Sequence, residues 1–240
     1  MEIEKKIKQT DENKSGTMDY PIIGKSRAVE QLIKQINSLA KTRKDIVIIG
    51  EAGVGKGAVA KNISSLGQHD GDHKPFMSIN LSVLDDKELE AVLFGYDKGG
   101  EGLPYSTKRG LFEIANGGTV LIEEIEEASF RNQMKILTFM NERTARRLGG
   151  SRSESIDIRL VVTVKEDLKN LVEKRKLMED FYSKLADFER IVIPPLRERP
   201  EDIPLLVKHF ANELCNEIGV GELIIDINAI DVLVRQTWKE

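Results

Sequence analysis

The feature that most constrains the fold is a glycine-rich segment, Gly-Glu-Ala-Gly-Val-Gly-Lys-Gly, at residues 50–57. It lies between a short β-branched apolar run, which predicts a buried strand, and a predicted helix that begins near Lys56. Glycines here let backbone N–H groups converge on phosphate oxygens, and the helix N-terminus adds positive partial charge. Lys56 can reach the outer phosphates of a nucleotide. The segment therefore predicts a P-loop, with an incidental glycine-rich turn as the less favoured alternative.

Strand and helix patterns alternate along the rest of the chain. Strands that alternate with helices favour a parallel sheet covered on both faces. The predicted fold class is α/β: a P-loop domain with a parallel five-stranded sheet flanked by helices, followed by a truncated small helical lid. The strands are predicted at residues 45–50, 75–80, 118–123, 158–164 and 190–193, and the main helices at 29–39, from 56 onward, 88–94, 133–142, 201–218 and 228–238.

Composition shifts divide the chain into three parts. Residues 1–19 are polar and charged and predict a flexible N-terminal arm. Residues 20–198 predict the α/β nucleotide-binding domain, and residues 199–240 predict the start of a helical lid subdomain.

The charge balance and the cysteine content limit the classes of binding partner and the cellular compartment that can be expected. The chain has 40 acidic and 36 basic residues, so it lacks the basic excess typical of a DNA-binding domain. Cys215 is the single cysteine. An intramolecular disulfide is therefore excluded, and a reducing, cytoplasmic compartment is favoured. No apolar run approaches the length of a membrane span.

Two adjacent carboxylates end the third predicted strand. Glu123 and Glu124 follow the apolar residues 120–122. In P-loop enzymes an acid at this point orients Mg²⁺ and a neighbouring acid polarises the attacking water. Glu123 is thus predicted to hold Mg²⁺ through water, and Glu124 to act as the catalytic base. The alternative is a solvated acidic turn formed by Glu123, Glu124, Glu126 and Glu127.

The residue after the P-loop lysine departs from the usual pattern. A Ser or Thr hydroxyl commonly ligates Mg²⁺ at this position, but here the residue is Gly57. Mg²⁺ would then be held by water and by the phosphates of the nucleotide.

Three segments point to one family. They are Leu-Phe-Gly-Tyr-Asp-Lys-Gly at residues 93–99, Gly-Leu-Phe-Glu-Ile-Ala-Asn-Gly-Gly-Thr at 110–119, and Pro-Pro-Leu-Arg-Glu-Arg-Pro-Glu-Asp-Ile at 194–203. From about residue 20 to 240, the chain resembles the AAA+ ATPase domain of sigma-54-dependent transcription activators, as a divergent member. The resemblance implies ATP or ADP with Mg²⁺ as ligands and assembly into a ring. It also implies action on RNA polymerase bound to sigma-54, and contact with DNA only through a separate domain.

The resemblance also implies roles for individual positions. Ile23 and Gly24 would lie beside adenine. Asn80 corresponds to the asparagine that restrains the catalytic glutamate, although a strand-end asparagine can equally form a turn. The residues implied to surround the phosphates are Gly50, Glu51, Ala52, Gly53, Val54, Gly55, Lys56 and Gly57, with Ala58 following them into the helix.

Several positions differ from the family pattern. The sigma-contacting motif Gly-Ala-Phe-Thr-Gly-Ala is replaced by Gly-Gly-Glu-Gly-Leu-Pro at residues 99–104, which argues against productive contact with sigma-54. The polar sensor position holds Lys165. The positions of the arginines that act in trans hold Met178 and Lys184. Lys184 is the remaining catalytic candidate there, but lysine lacks the planar fork of arginine.

Three functional interpretations remain open. The first is an ATP-binding domain of a bacterial transcriptional regulator with weak or lost hydrolysis. The second is an active ATPase that remodels a partner other than sigma-54. The third is a non-enzymatic module that assembles as an oligomer.

Overall fold

The central element of the fold is a six-stranded sheet. The computed structural model describes residues 7–9, 20–68, 74–98, 105–221 and 223–238. The strands are β1 (Ile7–Gln9), β2 (Ile46–Ile49), β3 (Phe76–Asn80), β4 (Gly95–Tyr96), β5 (Lys108–Arg109), β6 (Thr119–Glu123), β7 (Thr144–Arg146), β8 (Ser153–Ser155), β9 (Arg159–Val164) and β10 (Glu189–Val192). The strand order in the sheet is β1-β3-β6-β9-β2-β10. Strands β3, β6, β9, β2 and β10 are parallel, and β1 pairs antiparallel with β3.

Helices cover both faces of this sheet, so the predicted α/β fold with five parallel strands is confirmed. Alternate residues of β2 point to opposite sides: Val47 and Ile49 join one hydrophobic cluster, and Ile46 and Ile48 join the other. The helices are α1 (Arg27–Ala40), α2 (Lys56–Leu66), α3 (Asp86–Phe94), α4 (Leu111–Ile114), α5 (Phe130–Glu142), α6 (Leu168–Glu173), α7 (Glu179–Ala186), α8 (Ile203–Ile218) and α9 (Ile227–Val234).

The parallel arrangement brings the functional candidates to one edge. The carboxyl ends of parallel strands share an edge of the sheet, where ligands of open α/β folds bind. Asn80 is paired with Glu123 in the register of β3 and β6. The Gly50 N–H, just after β2, donates to the Val164 carbonyl at the end of β9 (3.1 Å). The P-loop and the acidic strand end are therefore close neighbours.

The predicted N-terminal arm contributes one strand. Ile7, Lys8 and Gln9 pair with residues 77–79 of β3. The rest of the arm lies outside the described residues, and so does the substituted motif at residues 99–104. The domain boundaries at residues 19 and 198 remain predictions.

The C-terminal helices differ from expectation at their end. The final helix was predicted to reach residue 238, but α9 ends at Val234. Trp238 has a positive φ of 46°, and its indole N–H donates to the Leu233 carbonyl (2.9 Å). The Leu233 carbonyl also accepts from the Gln236 N–H (3.2 Å), so the indole adds a second donor at the helix end. In the part of the chain that the structure describes, no helix is long and apolar enough to cross a membrane.

Candidate nucleotide-binding site

The P-loop has the backbone geometry that its glycines permit. Gly53 and Gly55 have φ angles of +72° and +101°, a region that other residues rarely adopt. A Cβ at either position would meet nothing within 4 Å, so the loop faces open space. Gly55 is the N-cap of α2 and offers no side chain to the first turn. The N–H groups at the start of α2 are therefore directed to where an anion can bind.

Lys56 lies folded against this loop. Its ammonium group donates to the carbonyls of Gly50 (2.6 Å) and Glu51 (2.9 Å), and the residue is only 9% exposed. These bonds hold the positive charge at the mouth of the loop, where the outer phosphates of a nucleotide would lie.

A cavity of about 1160 Å³ extends from the P-loop to the C-terminal helices. Its lining is largely apolar, as in most sites for small molecules. The predicted adenine neighbour Ile23 and the P-loop residue Ala58 both line it. The other lining residues are Tyr20, Pro21, Ile22, Leu32, Glu51, Ala52, Gly53, Val54, Gly55, Val59, Leu196, Arg199, Ile203, Leu206, Val207, His209, Phe210, Glu213 and Trp238.

One buried carboxylate anchors the cavity wall that contains Ile23. Asp202 accepts hydrogen bonds from the N–H of Lys25 (2.6 Å), the N–H of Ser26 (2.8 Å) and the Ser26 hydroxyl (2.7 Å). A Cβ at Gly24 would lie 2.8 Å from the Asp202 carboxyl carbon. Gly24 is therefore required for this close approach and does not line the cavity itself.

Two arginines connect the segment after β10 to the P-loop. Arg197 forms a bidentate ion pair with Glu51 (2.6 and 2.7 Å). This contact lowers the pKa of the Glu51 carboxyl. Arg199 donates to the Val54 carbonyl (3.2 Å). Sequence reasoning flagged residues 194–203 as a signature but missed these roles, and the only available signal was the cluster of charges.

The acidic strand end faces the start of α2. A Cβ built on Gly57 would lie 3.8 Å from the Glu123 carboxylate oxygen. The longer side chain of glutamate thus reaches the space beside the position where a hydroxyl is usual. Carboxylate oxygen is a ligand that Mg²⁺ accepts, so Glu123 fits an ion held against the P-loop, either directly or through water.

Glu124 is fixed in an unusual backbone conformation. It adopts the left-handed region (φ 57°, ψ 53°), and its N–H donates to the Thr163 hydroxyl (3.1 Å). Its carboxylate forms an ion pair with the Lys165 ammonium at 3.0 Å. The hydrogen bond that Lys165 donates to the Glu124 carboxylate is the main reason that the pKa of Lys165 is raised. The predicted base is thus paired with the residue at the sensor position.

Glu126 binds the backbone of Lys165. Its carboxylate accepts from the Lys165 N–H (2.8 Å), and the residue is 5% exposed. Burial raises the pKa of this carboxyl. The acidic turn at residues 123–127 is therefore not uniformly solvated, contrary to the alternative interpretation.

Comparison with known proteins identifies the family. The family model described as the Sigma-54 interaction domain matches residues 22–190. The chain belongs to this family. Among its relatives, the transcriptional activator HyfR of Escherichia coli K12 is 37% identical over 217 residues, which are 90% of this chain and 32% of HyfR. The regulator DctD of Pseudomonas aeruginosa is 36% identical over 218 residues, which are 90% of this chain and 46% of DctD.

Solved structures of NtrX from Brucella abortus share the fold. The complex with ADP has a TM-score of 0.82 and 27% identity, covering 93% of this chain and 48% of NtrX. The complex with ATP has a TM-score of 0.80 and 28% identity, covering 90% and 48%. The predicted P-loop AAA+ fold is therefore confirmed. This Sigma-54 interaction domain spans less than half the length of the relatives named here.

Two further predicted residues, Asn80 and Lys184, make no contact with the P-loop that the described residues show. The Asn80 side-chain oxygen accepts from the Ser82 N–H (2.8 Å) and hydroxyl (2.7 Å). It therefore forms a turn, which was one of its two expected roles, and the described residues show no hydrogen bond from it to Glu124. Lys184 is half-buried in the last turn of α7. None of the contacts found among the described residues joins its side chain to the P-loop, so its role in trans remains a prediction.

Proposed function

We propose that this chain is an ATP-binding AAA+ domain of a cytoplasmic bacterial transcriptional regulator, with weak hydrolysis. The observation that carries the proposal is the P-loop, with Gly53, Gly55 and Lys56 in place beside a nucleotide-sized cavity. The solved NtrX structures are described as complexes with ADP and with ATP, which supports the same ligands here. Mg²⁺ would accompany ATP, and Glu123 would supply an oxygen ligand to it, directly or through water.

Weak hydrolysis is supported by the ion pair between Glu124 and Lys165. A general base must accept a proton from the attacking water and be within hydrogen-bond reach of it. The ammonium group of Lys165 lies 3.0 Å from one carboxylate oxygen of Glu124 and occupies it. An attacking water must then compete with Lys165 for that oxygen, which weakens hydrolysis.

Interaction with RNA polymerase or a sigma factor, and self-association into a ring, are part of the same proposal. They are supported by membership of the Sigma-54 interaction domain family. In such an assembly, Lys184 of one subunit would approach the nucleotide of its neighbour. A lysine there supplies a point charge, which grips a phosphoryl group less firmly than arginine.

Nucleotide affinity tests the binding half of the proposal. We expect calorimetry to detect micromolar binding of ATP and ADP to the wild-type chain. Lys56→Ala should weaken it by about 100-fold or more, because a charge-assisted contact to phosphate is lost. Lys87→Ala removes an exposed lysine from α3 and is the matched control, with unchanged affinity expected. Absence of binding to the wild type would contradict the proposal.

Turnover separates the weakly hydrolysing domain from an active ATPase. The second candidate is favoured by the acidic pair itself, since Glu123 faces the P-loop helix and Glu124 is held by Thr163. Phosphate release should be measured with saturating ATP, with Mg²⁺ and with EDTA. Turnover at a rate typical of enzymes, on the order of 1 per second or faster, would favour the active ATPase.

A further inference from the structure

Arg199 is a buried arginine whose hydrogen-bond donors are only partly satisfied. The residue is 6% exposed, and its buried Nε has no hydrogen-bond partner among the described residues. One terminal nitrogen, Nη2, donates to the Val54 carbonyl at 3.2 Å. None of the ion pairs found among the described residues includes Arg199. A buried charge left in this way is costly unless an opposite charge joins it.

The carboxylate of the neighbouring Asp202 already accepts hydrogen bonds from other residues. Asp202 is completely buried and accepts hydrogen bonds from Lys25 and from Ser26. Its charge acts on Arg199 only at longer range, and burial outweighs it, so the pKa of the guanidinium is lowered. Arginine nevertheless stays protonated in proteins. The protein itself therefore leaves the positive charge of Arg199 largely uncompensated.

The position of Arg199 indicates which kind of group would compensate its positive charge. Among the described residues that line the cavity, Arg199 is the only lysine or arginine. It contacts the P-loop at Val54, between the two glycines of positive φ, whereas Lys56 lies beyond the second of these glycines. Ile23 and Ile203 line the same cavity. An anion beside Arg199 would thus lie between the apolar end of the cavity and the group that binds Lys56.

We propose that Arg199 binds the phosphate nearest the ribose of a bound nucleotide, so that the site requires a phosphorylated nucleoside. This inference rests on the proposed function, in which adenine lies near Ile23 and the outer phosphates near Lys56. The guanidinium offers several N–H donors in a planar fork, which suits phosphate oxygens. Its Nε–H is the donor that lacks a partner.

Binding of ADP and adenosine to the 240-residue chain tests this inference. A fluorescent ADP analogue would be displaced by ADP and by adenosine, from the wild type and from Arg199→Met. Methionine keeps an unbranched apolar side chain but removes the charge. We expect ADP to bind the variant about 10- to 100-fold more weakly, because a charge-assisted bond is lost. Adenosine should bind both proteins equally.

Arg190→Met is the matched control, because it removes an arginine that is paired with Asp167, is more exposed and is not among the residues that line the cavity. It should change ADP affinity by no more than about 3-fold, as expected for a partly exposed ion pair. A second readout is the unfolding temperature without nucleotide. We expect Arg199→Met not to lower it, since an uncompensated buried charge has been removed.

Three outcomes would overturn the inference. The first is equal ADP affinity of the wild type and Arg199→Met, which leaves the proposed function intact. The second is an equal loss of ADP and adenosine affinity together with a lower unfolding temperature, which indicates a structural role. The third is no ADP binding by the wild type, which overturns the proposed function as well. If Arg199→Met fails to fold, Arg199→Lys replaces it, with selective weakening of ADP as the supporting result and unchanged ADP affinity as the opposing one.

Discussion

The P-loop and the acidic strand end lie at the same edge of one sheet, but their residues differ in how closely they adopt the arrangement that the proposed function needs. At the P-loop, the two glycines adopt the required φ angles, and Lys56 lies across the loop. At the acidic strand end, the predicted base Glu124 is held by Lys165, and Asn80 is engaged with Ser82. The difference indicates that the proposed nucleotide binding and any hydrolysis would depend on separate groups of residues.

Among the variants that test this contrast, the largest effect is expected from removing the ion pair between Lys165 and Glu124. Lys165→Asn removes the ion pair with Glu124 and leaves a polar side chain at the end of β9. We expect steady-state phosphate release to rise by about 10-fold or more, since a positioned base contributes on the order of 100-fold or more to catalysis. The rise should disappear in the double variant with Glu124→Gln.

Lys174→Asn serves as the control for this experiment. It breaks an exposed ion pair with Glu166 and does not contact Glu124, so turnover should stay at the wild-type rate. A fall in turnover on Lys165→Asn would mean that Lys165 assists the reaction, and the contrast between the two regions would then be much smaller.

A smaller effect is expected from restoring a hydroxyl beside Glu123. In Gly57→Ser, the new side chain starts 3.8 Å from the Glu123 carboxylate, where it can share a magnesium ion. We expect ATP to bind about 5- to 10-fold more tightly with Mg²⁺ than it binds to the wild type, equivalent to roughly 1 kcal/mol. With EDTA, the two proteins should bind ATP equally.

Gly57→Ala is the matched control, because it gives at least as large a gain in helix propensity without the hydroxyl. Equal tightening by alanine and serine, measured by calorimetry, would assign the effect to the helix instead of the metal. The acidic strand end would then lack a usable metal position.

The smallest effect is expected at the outer side of the P-loop. Glu51→Gln breaks the two-pronged contact with Arg197, which lies near the surface. Partly exposed ion pairs contribute little, so ADP affinity should fall by no more than about 3-fold. Combining Glu51→Gln with Arg197→Met should add nothing further, because both changes remove one interaction. A loss comparable to that of Lys56→Ala would show that the P-loop depends on this contact for its shape.

The sequence predicted the features that depend on local pattern. The alternation of strands and helices gave the parallel sheet, and the glycine spacing at residues 50–57 located the P-loop because both its turn and its chemistry are local. The C-terminal end of α9 was predicted too far along, since Trp238 is apolar but turns back onto Leu233. No periodicity shows such a reversal.

Contacts between distant segments could not be read in this way. Lys165 was recognised as a departure from the family pattern, but its ion pair with Glu124 depends on β6 and β9 being neighbours in the sheet. The charge of Arg199 stays largely uncompensated because the Asp202 carboxylate is hydrogen-bonded to Lys25 and Ser26 instead. Each of these features follows from three-dimensional packing that a single sequence does not reveal.

The bond from Lys25 to Asp202 joins residues that are 177 positions apart. During synthesis, residues 20–26 emerge long before residue 202. Tyr20 can meet Asn62 early, but the N–H groups of Lys25 and Ser26 gain their acceptor only when Asp202 is available. Closing so long a loop is slow compared with forming local structure. The nucleotide cavity is therefore expected to be completed late in folding, after most of the sheet has formed. Nucleotide binding would then act as a test of completed folding, because an incomplete chain cannot form the cavity wall against Asp202.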